Sequence, residues 1–281
     1  MRQVYTDLDT FTGVGYGQTA KIVLETGPTI NSIGLEATGI DNDQIEHVEL
    51  LLNGDSIVNC RGDFFRTLED FKINTQADGV WLIQFLQERF QTNEGQRSGE
   101  LVTLDSDKLI LKVKIGAATA QQGIDGTVPT LAGYTETTAG QKVRHWVPQI
   151  LEDRIEIGAT GLNRFKTFPR GARIVGMHIV SADVEEFKIK VNGFLEHEST
   201  PARNNRLLER ADFAPQVGFY HFYPVMTGFG ILDMFRTAVN KLEFQLSMAA
   251  AGDVDVIYQM IEWAGDASVD PLDTRLALAK G

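Results

Sequence analysis

Phe187 to Gly193 reads FKIKVNG, and Val48 to Gly54 reads VELLLNG. Both stretches alternate apolar side chains with other residues, which is the pattern of a strand with one buried face. Both then end in Asn-Gly, which favours a two-residue hairpin turn because each of these residues accepts a positive φ. Phe187–Gly193 lies 139 positions after Val48–Gly54. We therefore expect a β unit that occurs twice in the chain.

Four further matches occur in the same order and extend the repeat. They pair Gly27–Leu35 with Gly171–Ile179, Arg66–Phe71 with Arg206–Phe213, Trp81–Phe85 with Tyr220–Pro224, and Lys108–Ile115 with Lys241–Met248. The offset falls from 144 to 133 residues along the chain, which a few changes in loop length explain. Each copy holds seven or eight strands in about 130 residues, the size of a jelly roll.

The fold class predicted from this repeat is all-β, with two tandem eight-stranded jelly-roll barrels and short helices in loops and at the C-terminus. We place the first barrel at residues 1–140, with an N-terminal arm around Gly13–Gly17 and a trailing linker in the small, polar stretch 116–140. We place the second barrel at residues 141–281, with an extension at 271–280 that has the pattern of a short amphipathic helix.

The charge and cysteine content limit the classes of function. The 281 residues carry 26 basic and 38 acidic side chains, a net charge of −12, which disfavours direct nucleic acid binding. No apolar window approaches the ~20 residues of a membrane span, and the first residues lack a signal-peptide core, so we expect synthesis in the cytoplasm. Cys60 is the single cysteine and is expected to be a small buried apolar residue.

No catalytic or cofactor-binding residue is assigned from the sequence. The five histidines (His47, His145, His178, His197 and His221) are scattered, and no two stand two positions apart as in a bicupin-type metal enzyme. Gly54-Asp55-Ser56-Ile57 is similar to a serine hydrolase block, but it follows the Asn-Gly turn, so Ser56 is interpreted as a turn residue. Gly13–Gly17 lacks the spacing of a dinucleotide loop.

Three acidic groups carry oxygen ligands of the kind that Ca²⁺ takes. They are Asp41-Asn42-Asp43, the pair Asp105 and Asp107, and the pair Asp253 and Asp255. None has an EF-hand pattern, and turns favour Asp and Asn for backbone reasons alone. We interpret all three as solvated turns or strand faces and leave the metal ligands unassigned.

The order of motifs resembles one family, the double jelly-roll major capsid proteins of corticovirus-type, membrane-containing tailless icosahedral bacteriophages. The resemblance rests on four stretches, Gln44–Leu50, Gly171–Ile179, Val184–Gly193 and Val254–Trp263. It extends over nearly the whole chain at low identity, and none of these motifs is chemically diagnostic.

The resemblance implies a non-enzymatic capsid protein of the virion, made in the host cytoplasm. It implies a homotrimer of pseudo-hexagonal outline that tiles an icosahedral lattice above an internal membrane. The partners would be neighbouring trimers, vertex (penton) proteins and internal membrane proteins. No cofactor is required, although calcium has a stabilising role in that family, with ligands that cannot be placed on this chain.

Two other classes of function stay open at this point. One is a double jelly-roll glycan-processing hydrolase, with paired carboxylates in the cleft between the barrels. The other is a carbohydrate-binding β-sandwich protein, which would align Trp81, Trp146 and Trp263 on one exposed sheet face. Core packing is the expectation for Trp81 and Trp263, because both lie in alternating strands.

Overall fold

The computed structural model describes residues 4–165 and 168–264, which form eighteen strands, four α-helices and two short 3-10 helices, Pro224–Thr227 and Gly230–Leu232. The amphipathic stretch predicted at 271–280 lies outside the described residues. No helix in the described ranges combines the length and the apolarity that crossing a bilayer requires.

The first half of the chain contains the first nine strands and three of the helices. They are β1 (Val4–Asp7), β2 (Thr19–Leu24), β3 (Thr29–Thr38), β4 (Ile45–Leu52), β5 (Asp55–Cys60), α1 (Asp63–Phe71), β6 (Val80–Gln84), α2 (Asn93–Arg97), β7 (Leu101–Val102), β8 (Leu109–Ile115), α3 (Ala120–Asp125) and β9 (Thr130–Thr138).

The second half repeats most of this order. Its elements are β10 (Trp146–Ile157), β11 (Gly161–Phe165), β12 (Arg173–Val180), β13 (Val184–Val191), β14 (Phe194–Ser199), α4 (Pro201–Arg210), β15 (Phe219–Phe222), β16 (Phe235–Arg236), β17 (Leu242–Met248) and β18 (Gly252–Trp263).

Each half is a sandwich of two sheets with jelly-roll strand order. In the first, β1-β9-β3-β6, with β7 also on β3, packs on β2-β8-β4-β5. In the second, β10-β18-β12-β15, with β16 also on β12, packs on β11-β17-β13-β14. The five sequence matches all join equivalent elements: β3 with β12, β4 with β13, α1 with α4, β6 with β15, and β8 with β17. The predicted double jelly roll is confirmed.

The two Asn-Gly turns show how closely the copies agree. Asn53 and Gly54 have φ of 55° and 100°, and Asn192 and Gly193 have 53° and 88°, as a hairpin of two residues requires. Each asparagine side chain also accepts a hydrogen bond from the backbone N–H that precedes the next strand of its sheet, from Lys108 at 2.8 Å and from Lys241 at 3.1 Å. The same residue type therefore fixes the same turn twice.

The sandwiches share one sheet, which two wholly separate barrels would not do. β5 and β10 run parallel and pair over two positions, Val58 with Ile150 and Asn59 with Leu151. This short contact joins a sheet of each sandwich into one sheet of nine strands.

The interpretation of 116–140 as a linker is wrong. The stretch contains α3 and β9, and β9 lies between β1 and β3 in the first sandwich. After Leu131 its inward residues are Gly133 and Thr135, and a Cβ on Gly133 would come within 2.6 Å of the Gly34 carbonyl oxygen. The alternation was therefore not visible as a hydrophobic pattern. The connection between the sandwiches is the shorter segment 139–145.

The N-terminal arm at Gly13–Gly17 is also a wrong prediction. This stretch connects β1 with β2 and is held to the barrel, because Gly17 N–H donates to the Gly116 carbonyl at 2.9 Å and Thr12 bridges to Lys21. Phe11, just before it, is buried in the core. Its glycines supply turns, with Gly13 and Gly17 at φ of 77° and 72°.

Candidate functional site

The contact between the two sandwiches is the most elaborate site in the described residues, and α1 lies at its centre. The apolar face of α1 is buried, including Phe64 and Phe71. Phe71 stacks on His221 of β15 with ring centroids 4.3 Å apart, and on Phe213 with centroids 5.0 Å apart. Phe64 lies against His178 of β12, at 5.1 Å. A helix of the first sandwich therefore fills the outer face of a sheet of the second.

His178 and His221 form a buried hydrogen-bonded pair beneath α1. Their Nδ1 atoms are 2.7 Å apart, His178 Nε2 is 3.1 Å from Gln259 Oε1, and Gln216 N–H donates to His221 Nε2 at 3.2 Å. Since an amide oxygen only accepts, His178 carries its proton on Nε2 and accepts at Nδ1 from His221. All four ring nitrogens are then satisfied with both imidazoles neutral.

Burial keeps this pair neutral. It lowers the pKa of His178 to about 4, with the amide of Gln259 opposing the shift and nearby Lys72 adding to it. Burial, and then the neighbouring His178, lower the pKa of His221 well below its ordinary value. A proton on either ring would set two N–H groups against each other. The arrangement therefore favours a fixed junction over acid–base chemistry at neutral pH.

Sequence reasoning treated the histidines as scattered and missed this pair. His178 and His221 are 43 positions apart, but β12 and β15 are neighbours, and the two residues stand directly opposite each other. The jelly-roll order places β12 beside β15, as it places β3 beside β6 in the first sandwich, so the topology was the signal that could have found them. The other three lie elsewhere: His47 contacts Asn59, His145 stacks on Trp263, and His197 contacts Tyr220.

Arg89 donates hydrogen bonds to backbone carbonyls at the C-terminal ends of both equivalent helices, α1 and α4. Its guanidinium donates to the Lys72 carbonyl just after α1 and to the Asp212 carbonyl just after α4, the latter at 2.5 Å. It also lies 4.7 Å from the centroid of the Phe213 ring. A cation is favoured at helix C-termini, where carbonyl groups lack intrahelical partners. Arg89 was not singled out from the sequence, because its partners are backbone atoms.

A second polar contact stands where the nine-stranded sheet crosses from one sandwich to the other. Arg61, which follows β5, donates from its backbone N–H to Glu152 Oε2 at 2.9 Å and from Nε to Glu152 Oε1 at 2.7 Å. Its guanidinium also contacts Asp255 of β18, which pairs with Arg154 as well. Burial opposes the charge of Arg61, but the two carboxylates hold its pKa above the ordinary value.

The connecting segment is fixed by an ion pair. Arg144 Nη1 lies 2.6 Å from Asp107 Oδ2, and Asp107 accepts further hydrogen bonds from Leu104 N–H and the Asn53 amide, each at 2.7 Å. Burial alone would raise the pKa of Asp107, but these donors outweigh it and lower the pKa. The junction thus combines aromatic packing, a shared sheet and ion pairs, which makes the two sandwiches one rigid unit.

The acidic groups do not fit a calcium site within one chain. Asp107 and Asp255 form ion pairs with arginines, and Asp253 lies 4.0 Å from Arg154. Asn42 of the 41–43 turn accepts from Gly79 N–H and donates to Asp78, as a turn residue does. Among the described residues there is no group of three or more His, Cys, Asp or Glu that could hold a metal.

The serine, tryptophan and cysteine residues considered from the sequence take part in the packing and hydrogen bonding of the fold. Ser56 lies in β5 and donates to the Val58 carbonyl at 3.1 Å. Trp81 is fully buried in the first sandwich, whereas Trp146 and Trp263 pair edge to face across β10 and β18, with centroids 5.0 Å apart. The three tryptophans therefore do not line one exposed sheet face. Cys60 is buried, as expected.

Several large apolar side chains are exposed elsewhere on the surface, mostly on connections and at the ends of elements. They include Ile124 and Val128 beside β9, Phe194 at the hairpin after β13, Val217 before β15, and Phe229 with Leu232 between β15 and β16. Each is more than half exposed. Apolar residues presented on loops of a rigid β scaffold are suited to contacts between protein subunits.

A rigid pair of jelly rolls with apolar loops is the architecture of a double jelly-roll protein. Solved structures of this class are similar. The major capsid protein P2 of bacteriophage PM2 has 18% identity and a TM-score of 0.83, with 93% of this chain and 98% of that chain covered. A structure from Sulfolobus Turreted Icosahedral Virus has 10% identity and a TM-score of 0.70, with 100% and 97% covered. The PBCV-1 virus capsid has 11% identity and a TM-score of 0.61, with 93% of each chain covered. No curated protein matches.

Two family models match in tandem. Residues 5–138 match the N-terminal domain of viral coat protein P2, and residues 147–263 match its C-terminal domain. The chain belongs to the viral coat protein P2 family. The resemblance described from the sequence is thereby confirmed, and so is the expectation of a viral capsid protein, in place of the glycan-processing or carbohydrate-binding alternatives.

Proposed function

We propose that three copies of this coat protein form a trimer of pseudo-hexagonal outline, which tiles an icosahedral capsid above an internal membrane. The observation that carries the proposal is the rigid junction between two equivalent sandwiches. Three chains then present six similar units in fixed positions, the number that a hexagonal lattice contact needs. The exposed apolar loop residues supply contacts between neighbouring copies.

The remaining parts of the proposal concern partners and chemistry. Neighbouring trimers, vertex (penton) proteins and internal membrane proteins are the proposed partners, after synthesis in the host cytoplasm. The net charge of −12 argues against direct binding of nucleic acid. We propose no enzymatic activity and no required cofactor, with calcium as an ion that bridges subunits. We also propose a division of the chain into 1–140 and 141–281.

Light scattering coupled to size-exclusion chromatography tests the assembly state, and negative-stain images of the same sample test its outline. We expect a species of three times the 31.1 kDa chain mass, with six-lobed plates in projection. Samples with Ca²⁺ and with a chelator separate an ion-dependent assembly from an ion-independent one. A monomer at all concentrations, with and without Ca²⁺, would contradict the proposal.

A further inference from the structure

An apolar cleft opens on the second sandwich, between α4 and the segment that follows β15. Its walls include Leu207 and Leu208 of α4, Phe222 and Met226 on the other side, and Phe235 of β16. Its volume is about 250 Å³. A cavity of about 150 Å³ lined by apolar side chains already holds a benzene ring, so this cleft has room for one or two aliphatic side chains.

The lining also contains Glu196, His197 and Asn204, and apolar side chains lie beside the opening. Leu207 is 44% exposed on α4, and Leu195 on the neighbouring β14 is 50% exposed. In the first sandwich the equivalent helix, α1, is covered by the junction, but α4 buries only Asn204 and Leu208. One face of α4 therefore lacks a partner within the described residues.

Charges of both signs flank this face. Arg203, Arg206 and Arg210 are exposed on α4 and share one stripe with Leu207 at helical spacing, with Glu209 as the exposed acid of the same helix. Glu196 in the lining of the cleft and Glu198 on the same strand, β14, place acidic groups beside this stripe. An occupant with apolar side chains and charges of both signs suits this surface.

The segment 265–281, which follows β18 and lies beyond the residues that match the family, has this composition. It carries carboxylates at Asp266, Asp270 and Asp273, basic side chains at Arg275 and Lys280, and three leucines. The leucines are Leu272, Leu276 and Leu278. The segment thus combines apolar side chains with charges of both signs, as the cleft and its surroundings do.

The segment after β18 is long enough to reach the cleft. Met260 of β18 stands opposite Ile174 of β12, which stands opposite Phe235 in the wall of the cleft. Two strand spacings and four residues of strand place the end of β18 roughly 17 Å from Phe235. The eight residues 265–272 can span at most about 27 Å. Leu272 and the two later leucines can therefore reach the cleft of their own chain.

We propose that the cleft beside α4 binds the leucine-bearing segment 271–280 of the same chain. The leucine side chains occupy the apolar cleft, and Asp273 lies against the arginine stripe of α4. The segment then covers the exposed helix of the second sandwich, as the junction covers its counterpart in the first.

Disulfide trapping in the full chain tests this proposal. In a Leu207→Cys/Leu276→Cys variant we expect an intramolecular disulfide, detected by non-reducing peptide mapping, because Cys60 is buried and does not compete. The matched control is Val23→Cys/Leu276→Cys, with its second thiol exposed on β2 of the first sandwich. A bound segment should make the first disulfide about tenfold faster than the control.

Two further variants keep the outcome decisive. Arg206→Glu, compared with Arg206→Gln, should slow the trapping by charge repulsion. A chain that ends at residue 264 and carries Leu207→Cys should react with a maleimide faster than the full chain with the same substitution. Equal trapping rates in test and control pairs, disulfides found only between chains, or unchanged maleimide reactivity would each overturn the proposal.

Discussion

Acid should weaken the junction through the His178–His221 pair. In the folded protein both rings are neutral, and burial lowers the pKa of His178 from 6.5 to about 4. The unfolded chain gains a proton on each histidine as the pH falls through 6.5, while the folded chain does not. The contribution of the pair to stability is therefore fully present above pH 6.5, and it is lost as the pH falls toward 4.

The size of this stability loss follows from the pKa shift of His178. One pKa unit corresponds to about 1.4 kcal/mol, so a shift from 6.5 to about 4 for His178 is worth roughly 3 kcal/mol of unfolding free energy. His221 acts in the same direction, because its pKa is also lowered by burial. The groups around the pair also disfavour protonation. Lys72 adds positive charge near His178, and the apolar rings of Phe64 and Phe71 cover His178 and His221.

Urea unfolding at a series of pH values between 7.5 and 5, followed by tryptophan fluorescence, measures this loss. Carboxylates also titrate toward the acid end, so the comparison is with a His178→Gln/His221→Asn variant, in which the slope of stability against pH should be smaller. His145→Gln removes an exposed histidine and should leave the slope as in the unmodified protein. Equal slopes in the unmodified protein and the double variant would refute the reasoning.

Three further predictions use the same unfolding measurement. Phe71→Ala should cost about 3–5 kcal/mol, because the ring is fully buried between the sandwiches, and a loss below 1 kcal/mol would contradict its place at the junction. Arg89→Ala should cost about 1–2 kcal/mol through the lost hydrogen bonds to two helix ends, whereas an unchanged midpoint would show that this contact is not populated. Gly193→Ala should destabilise by about 1 kcal/mol because its φ is 88°, while Gly123→Ala in α3, where an added Cβ meets no atom within 4 Å, should stabilise by about 0.5 kcal/mol. A stabilising Gly193→Ala would count against the turn geometry.

The repeat predicted most of the fold because turns and alternating strands are local features. Asn53-Gly54 and Asn192-Gly193 fix two hairpins through φ preferences alone, and β8 and β17 show their buried faces directly in the sequence. These features depend on neighbours within a few residues. For that reason they survive as a visible pattern when the two copies differ at most other positions.

The features that escaped prediction depend on distant residues. β9 presents Gly133 and Thr135 to a crowded sheet, so its alternation has no hydrophobic signal. The His178–His221 pair exists only once β12 and β15 lie side by side. Arg89 binds backbone carbonyls of two loops, which have no sequence signature. In each case the missing information was the pairing of strands or helices far apart in the chain.

The two copies share a fold, and their helices reveal how the chain distinguishes the copies. α1 reads DFFRTLEDF and buries three phenylalanines, whereas α4 reads PARNNRLLER and buries only one leucine and one asparagine. Since the helices occupy equivalent places, the difference reflects position: α1 lies between the sandwiches and α4 lies at the outer side of the second. An apolar α4 would offer a second copy of the junction surface. Further chains could then attach head to tail at this end in an open series. The arginine stripe on α4 disfavours that contact and leaves α1 as the helix that joins two sandwiches.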